Sequence, residues 1–558
     1  MVTRRSFLGQ FAATSFVAQT NLLQSKSSTS NGSTYVELLR PPDNVRVFSG
    51  LDKPVRLEKS GERFSAGDIC ITAKPAGSGL SIRVLADGTA LTHACLRWHC
   101  PVSPKLLFLG DQWERSYGDL AWRGMGPERA MPWYFVSYDG SALHSYGVET
   151  GARAFCFWQA DPDGVTLWLD LCNGGEGVQL GGRELEAATI VSRRGTSHEP
   201  AIAALRAFCR RMCSTPRLPK GSVYGGNDWY CAYGKNSEEM LLRITDLIAD
   251  VSPPSGERPF TVVDMGWKDG TPAFPSMAEF CTNIRKRGVR PGVWIRPLEA
   301  EAEIHSSLLL PDVRYGNRTQ RFAERAYDPT IQEAKEKITQ KMRELKYWGF
   351  DLVKHDFSTY DLFGQWGFEM GARPTNPGWH FHDRSRTNAE IVLDLYRLLR
   401  ATLGENIQIL GCNTFGHLGA GIFEIQRTGD DTSGRIWERT RRMGVNTLAY
   451  RLPQHRTFFY QDPDCVGITP EVPWELNRQW LDLVASTGTA LFISPADGAV
   501  GKEQRDALKS AFALVNTQEA AAEPVDIFHE TSPETWRMGN VTKRYHWSET
   551  EGNWPFTV

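Results

Sequence analysis

The sequence predicts three structural parts: an N-terminal β-sandwich, a central (β/α)8 barrel of the TIM type, and a short C-terminal β segment. Three observations lead there. The chain has 558 residues, more than one hydrophobic core accommodates, so two or three domains are required. Short apolar runs separated by Gly, Asp and Pro turns fill the stretch up to about Arg193. From Val223 the rhythm changes to apolar run, turn, amphipathic helix, repeated several times, as βα units require.

In chain order, residues 1–34 read as a leader and spacer. Thr3-Arg4-Arg5-Ser6-Phe7-Leu8 matches a twin-arginine export signal, followed by a mildly apolar stretch and a Ser/Thr/Asn-rich run to Thr34. The expected location is therefore periplasmic or extracellular. Residues 35–215 are expected to hold the sandwich and a helical connector over Ala201–Cys213, with Leu80–Leu85, Ala154–Trp158 and Val165–Leu169 as strands. Residues 216–515 form the expected barrel. Its strands are read at Phe260–Asp264, Val293–Arg296, Asp351–Lys354, Ile407–Leu410, Phe423–Gln426 and Ala490–Ile493. Its helices are read at Met277–Arg287, Thr330–Trp348 and Asn388–Leu403. Ile331, Ala334, Ile338, Met342 and Leu345 recur at intervals of three and four, which makes one buried stripe. Residues 516–558 return to short β-like segments.

Composition narrows the partners. A net charge of −2 gives no electrostatic reason for nucleic acid or an anionic membrane, and no apolar run is long enough to span a bilayer. The 18 Trp residues suit a carbohydrate partner, whose pyranose faces stack on flat rings, although core packing also uses them. The 11 Cys residues include no zinc-like Cys-x-x-Cys pair. His380-Phe-His382-Asp383 sits in a Pro/Gly-rich loop and reads as a loop and helix cap. Gly225-Gly226 lacks the Gly-Lys-Ser/Thr of a phosphate loop.

Polar residues gather where the barrel strands end: Asp264, Arg296, Lys354, Asp356, Cys412, Asn413, Arg427, Asp430 and Asp497. A barrel carries its active site at that face, and a doubly wound sheet would also place polar residues there. Cleaving a sugar acetal needs two carboxyl groups facing one bond, one charged and one protonated. Lys354 and Asp356 lie two apart and share a strand face, so the cation is expected to keep Asp356 ionised as a nucleophile; a purely structural Lys–Asp pair is the alternative. Asp430 and Asp431 are neighbouring carboxylates whose repulsion would leave one protonated as a general acid; capping a helix from Thr432 is the alternative. Asp264 could accept hydrogen bonds from sugar hydroxyls, and Trp229 and Trp294 could supply stacking faces.

Asn227-Asp-Trp229, Val263-Asp-Met-Gly-Trp267, Gly292-Val-Trp-Ile-Arg-Pro297, Tyr327-Asp-Pro329, Val353-Lys-His-Asp356, Arg427-Thr-Gly-Asp-Asp431 and Asp462-Pro-Asp464 occur in that order. Together they resemble the clan D retaining glycoside hydrolases, closest to the family 36 α-galactosidases. The resemblance implies Asp356 as nucleophile and Asp430 as acid/base in a double displacement. It also implies Asp264, Lys354, Trp229, Trp294, Cys412 and Arg427 around the sugar, and no cofactor. One departure bears on the sugar: the family pattern has two adjacent aspartates before Gly-Trp, and here the second position is Met265. The same clan offers β-L-arabinopyranosidase and α-N-acetylgalactosaminidase activities, and an inactive sugar-binding barrel is the reading outside catalysis.

Overall fold

The computed structural model describes residues 34–50, 53–316, 325–517, 521–549 and 552. The arginine pair of the expected export signal lies outside them.

The N-terminal part contains two antiparallel sheets, of six and eight strands among the described residues. The expected strands are present as Gly79–Ala86, Phe155–Asp161 and Gly164–Asp170. The sheets share an aromatic core: Phe135 of the eight-stranded sheet meets Trp158 of the six-stranded one, with ring centroids 5.7 Å apart. Helix Ala201–Met212 follows and turns Ile202, Leu205, Phe208, Cys209 and Met212 inward.

The second part is built on one nine-stranded parallel sheet. Its strands are Tyr224–Asn227, Phe260–Val263, Arg290–Ile295, Leu352–His355, Gln408–Gly411, Ile425–Arg427, Tyr460–Asp462, Val466–Ile468 and Leu491–Pro495. The two edge strands of this sheet are Tyr460–Asp462 and Val466–Ile468. Only Pro463, Asp464 and Cys465 separate them, a span of roughly 14 Å at most. The sheet must therefore curl until its edges meet. They are the two halves of one broken strand, and Ala490 N donates to Gln461 O at 2.9 Å across the gap. Eight strand positions result, the seventh split, in a sheet of TIM type. The strand side chains are almost wholly buried, as parallel strands covered on both faces require.

The helices follow their sequence signals. Gln332–Trp348 buries Ala334, Ile338, Met342 and Leu345, and Gly349 ends it with φ +93°, donating to Leu345 O at 3.2 Å. Asn388–Leu403 begins at Thr387, whose hydroxyl accepts from Glu390 N at 3.1 Å while Glu390 accepts from Thr387 N at 3.1 Å. The cap is Thr387, so the His380–Asp383 stretch is loop only. After helix Lys502–Thr517 comes a small three-stranded antiparallel sheet. All 11 cysteines are free thiols, Cys100 and Cys231 half-buried and the others buried.

Candidate active site

Asp356 directly follows the fourth barrel strand, Leu352–His355. Three N–H groups converge on its carboxylate. Phe357 N and Asn413 N donate to Oδ1 at 2.8 and 3.0 Å, and Trp294 Nε1 donates to Oδ2 at 3.0 Å. Phe357 holds φ +65°, a left-handed conformation that costs a bulky residue about 1–3 kcal/mol. Trp294 is buried and donates its indole N–H to Asp356, a role the sequence reading did not give it.

Lys354 shares the face of Asp356, but its ion pair goes elsewhere. Its Nζ donates to Asp264 Oδ2 at 2.7 Å. The expected Lys354–Asp356 pair is replaced by a pair between the fourth and second strands. Burial disfavours the ammonium, yet Asp264 outweighs that and raises Lys354 well above its ordinary range. Asp264 also accepts from Asn227 Nδ2 at 2.7 Å, and its own N–H donates to Asp228 Oδ1 at 2.6 Å. Asp228 is fully buried. Desolvation first, and the charge of Asp264 second, push its carboxyl up to about 7.

Asp430 lies three residues beyond the sixth strand, Ile425–Arg427. Its carboxylate touches two guanidinium groups, Arg439 at 3.0 Å and Arg115 at 3.4 Å. Neighbouring Asp431 meets Arg427 at 2.9 Å and Arg115 at 3.6 Å. Burial works against charge on Asp431, but Arg427, Arg115 and Lys354 prevail and hold its carboxyl below the ordinary range. Two bare carboxylates repelling one another, as expected from the sequence, is therefore not the local electrostatics; arginines intervene. Nor do these aspartates cap a helix at Thr432, because the next helix starts at Trp437.

The remaining expected residues divide. Arg427 is buried and ties Asp431 to Asp464, with Cys412 Sγ at 3.9 Å from its guanidinium. The Cys412 thiol is buried and pushed well up, by desolvation and then by Asp356. Trp229 opens the short helix Trp229–Ala232, half-buried beside Tyr233 at 5.5 Å. Asp497 is exposed and pairs with Arg243, and Arg296 is consumed by the buried Asp361.

One contribution comes from the N-terminal part. Ser116 N donates to Thr428 O at 2.9 Å, and Asp430 N donates to Ser116 O at 2.8 Å, so the loop docks as a one-residue parallel bridge beside Gly429. That docking delivers Arg115 to Asp430. It also delivers Glu114, which accepts from Asn413 Nδ2 and from Gly367 N at 2.9 Å. Burial raises the Glu114 carboxyl against the opposing pull of Arg115. A continuous set of contacts then runs from Asp356 through Asn413, Glu114 and Arg115 to Asp430. Nothing in the string Trp113-Glu114-Arg115-Ser116 marks these residues in sequence. Asp228 did lie inside the quoted string Asn227-Asp-Trp229.

No family model and no curated protein matches the chain. Solved structures do. The α-galactosidase TtGalA from Thermus thermophilus, in complex with p-nitrophenyl α-D-galactopyranoside, aligns at TM-score 0.59 and 19% identity over 86% of this chain and 97% of its own. A variant of the family 36 α-galactosidase AgaA from Geobacillus stearothermophilus, in complex with 1-deoxygalactonojirimycin, gives 0.57 and 12% over 89% and 76%. The galactosidase domain of the α-galactosidase-sucrose kinase AgaSK gives 0.55 and 14% over 84% and 69%. The resemblance to family 36 α-galactosidases thus holds at the level of fold.

Proposed function

We propose that the chain is a retaining exo-glycosidase acting on terminal α-galactoside-like sugars, with Asp356 as nucleophile and Asp430 as acid/base. The observation that carries the reading is the Asp356 carboxylate, fixed at the C-terminal end of a central barrel strand by three N–H donors and a strained neighbour. Hydrogen bonds to the ionised form favour it, and a nucleophile must be ionised and aimed. The Asp430 carboxylate, partly open and bridged by arginines, supplies the second group. In the first step Asp356 attacks the anomeric carbon while Asp430 gives its proton to the leaving oxygen. In the second, Asp430 takes a proton from water, which displaces Asp356 and restores both groups. Lys354, Asn227 and Asp264 offer a hydrogen-bonding corner for sugar hydroxyls, and Trp229 a stacking face. The export signal adds a location outside the cytoplasm.

Azide rescue tests the roles separately. Asp356→Gly should be inactive and, with azide, form a glycosyl azide of inverted configuration in one displacement. Asp430→Gly with azide should still pass through the covalent intermediate and give the retained anomer from an activated aryl glycoside. Rescue of neither variant on any α-glycoside of a broad panel sinks the assignment.

Met265 favours a second reading of the sugar. Its thioether stands where the family pattern has a carboxylate, which removes a charged hydrogen-bond acceptor worth about 1.5–3 kcal/mol. A sugar lacking the C6 hydroxymethyl group, a β-L-arabinopyranoside, loses less by that change than a galactoside. Comparing kcat/KM on aryl α-galactoside and aryl β-L-arabinopyranoside, in wild type and Met265→Asp, decides between them.

A further inference from the structure

A separate cavity of about 330 Å³ lies between the six-stranded N-terminal sheet and a barrel loop, lined in part by His93, Asp170, Cys172, Arg373 and Arg384. None of the carboxylates discussed above lines it. His93 and Asp170 sit directly opposite each other on adjacent antiparallel strands, His93–His99 and Gly164–Asp170. Directly opposed residues present their side chains on one face. The pairing continues one residue further, with Leu171 N donating to Thr92 O at 2.8 Å, so Cys172 returns to the face of Asp170. The three donor atoms lie within 4.8 Å of one another, and His93 Nε2 is 3.8 Å from Asp170 Oδ2. Tetrahedral zinc, with bonds of about 2.0–2.3 Å, holds its donors roughly 3.3–3.8 Å apart. Closing the set takes an adjustment of about 1 Å.

The Cys172 thiol donates to Thr92 O at 3.4 Å, a bond it gives up when it binds a metal, while Thr92 O keeps the Leu171 N donor. His93 is half-buried, and its Nε2 faces Asp170 Oδ2 without a hydrogen bond at this separation. Asp170 Oδ1 is already oriented by Cys172 N at 2.8 Å, which turns the other oxygen toward His93. One sulfur, one imidazole nitrogen and one carboxylate oxygen form a donor set too soft for calcium or magnesium and suited to zinc. The lack of a Cys-x-x-Cys pair does not count against it, because these ligands meet across strands rather than along one.

We propose that His93, Asp170 and Cys172 bind one zinc ion, with the fourth coordination position facing the cavity. On binding, the Cys172 S–H bond breaks, a zinc–sulfur bond forms and one proton leaves to solvent. Thiolate, carboxylate and neutral imidazole then balance the two charges of the ion, so no uncompensated charge is buried. His93 and Asp170 sit on paired strands and Cys172 opens the hairpin Cys172–Asn173/Glu176–Gly177, so the ion ties that sheet to the hairpin whose Gly174-Gly175 turn packs on the barrel loop; a Cβ added at Gly175 would come within 2.1 Å of Asn376 O.

The full-length chain, stripped with a chelator, is titrated with Zn²⁺ and separately with Co²⁺. Expected are one tightly bound equivalent, one proton released, a thiolate-to-cobalt charge-transfer band, and a metal-dependent rise in Tm. Cys172→Ser should abolish the band, and His93→Gln should weaken Zn²⁺ binding at least ~10-fold. Retained glycosidase activity or native circular dichroism reports folding, and the milder His93→Gln variant serves if Cys172→Ser fails to fold. A cobalt spectrum without the thiolate band in wild type, or a band that survives Cys172→Ser, overturns the proposal.

Discussion

Asp228 makes the stability of the fold depend on pH in a direction that can be worked out. Its carboxyl moves from 3.8 in an open chain to about 7 in the folded protein, because burial and the charge of Asp264 penalise the ionised form. Below about pH 4 the group is protonated in both states and costs nothing. Between about pH 4 and about pH 7 the unfolded chain ionises while the folded one keeps its proton, so unfolding gains ground as pH rises. Above that range both are ionised, and the folded state has lost the full difference. A pKa change of about three, at about 1.4 kcal/mol each, comes to about 4 kcal/mol. Asp228→Asn cannot ionise and should lack this decline. The substitution also disturbs two hydrogen bonds, from Asp264 N and from Asn236 Nδ2, which sets its stability at any single pH. The change in the wild-type-to-variant difference between about pH 4 and about pH 8 is free of that constant and should reach about 4 kcal/mol. Denaturant titration of both proteins at those pH values measures it. Parallel stability–pH curves would refute the reasoning, because they would mean that Asp228 ionises as readily folded as unfolded.

Three other perturbations have distinct outcomes. Lys354→Met leaves Asp264 buried without its cation and should cost about 3–5 kcal/mol by denaturant melt, whereas Lys354→Met with Asp264→Leu should recover much of that; equal losses would deny the pair a role. Trp294→Phe keeps the ring but removes one of three donors to Asp356, and kcat/KM should fall by roughly 10- to 150-fold, matching about 1.5–3 kcal/mol for a charged hydrogen bond. Arg115→Ala acts through Asp430, so turnover of a disaccharide, which needs a protonated leaving group, should drop at least ~10-fold more than turnover of an activated aryl glycoside. Equal losses on both substrates would make Arg115 merely structural, and Arg115→Lys should restore part of the difference.

Which parts of this arrangement are legible in the sequence follows from which interactions are local. Strands such as Leu352–His355 are buried on both faces and read as apolar runs, and helix Gln332–Trp348 shows its stripe and its terminal Gly349 directly. The seventh strand position escaped because Pro463 and Asp464, the latter at φ +83°, break it into two three-residue pieces too short to carry a pattern. Period-two alternation correctly puts Lys354 and Asp356 on one face. It cannot tell which neighbouring strand reaches each head group. On the third strand the register partner of Lys354 is Trp294, yet Trp294 serves Asp356, and Lys354 reaches past it to Asp264, just beyond the second strand. Side-chain length decides that exchange, and no spacing rule encodes it.

The docking loop from the N-terminal part sharpens the same point, because its effect on the site rests entirely on long-range contacts. Arg451 Nε donates to Asp111 Oδ1 at 2.8 Å while its NH1 donates to Thr428 O at 2.9 Å, and Gln454 Nε2 donates to Asp111 Oδ2 at 2.9 Å. Two barrel side chains thus hold the start of the loop and the end of the sixth strand together. The bridge at Ser116 then fixes the register between Arg115 and Asp430. The Arg451 and Gln454 bonds are buried, where an unmade partner costs about 1–3 kcal/mol, which opposes any displacement of the loop. A barrel without that loop keeps the three Asp356 donors and Arg439 beside Asp430 but loses Arg115 and the carboxylate behind Asn413. The proposed chemistry therefore draws on both parts of the chain, and undocking the loop should weaken proton transfer before it removes the nucleophile.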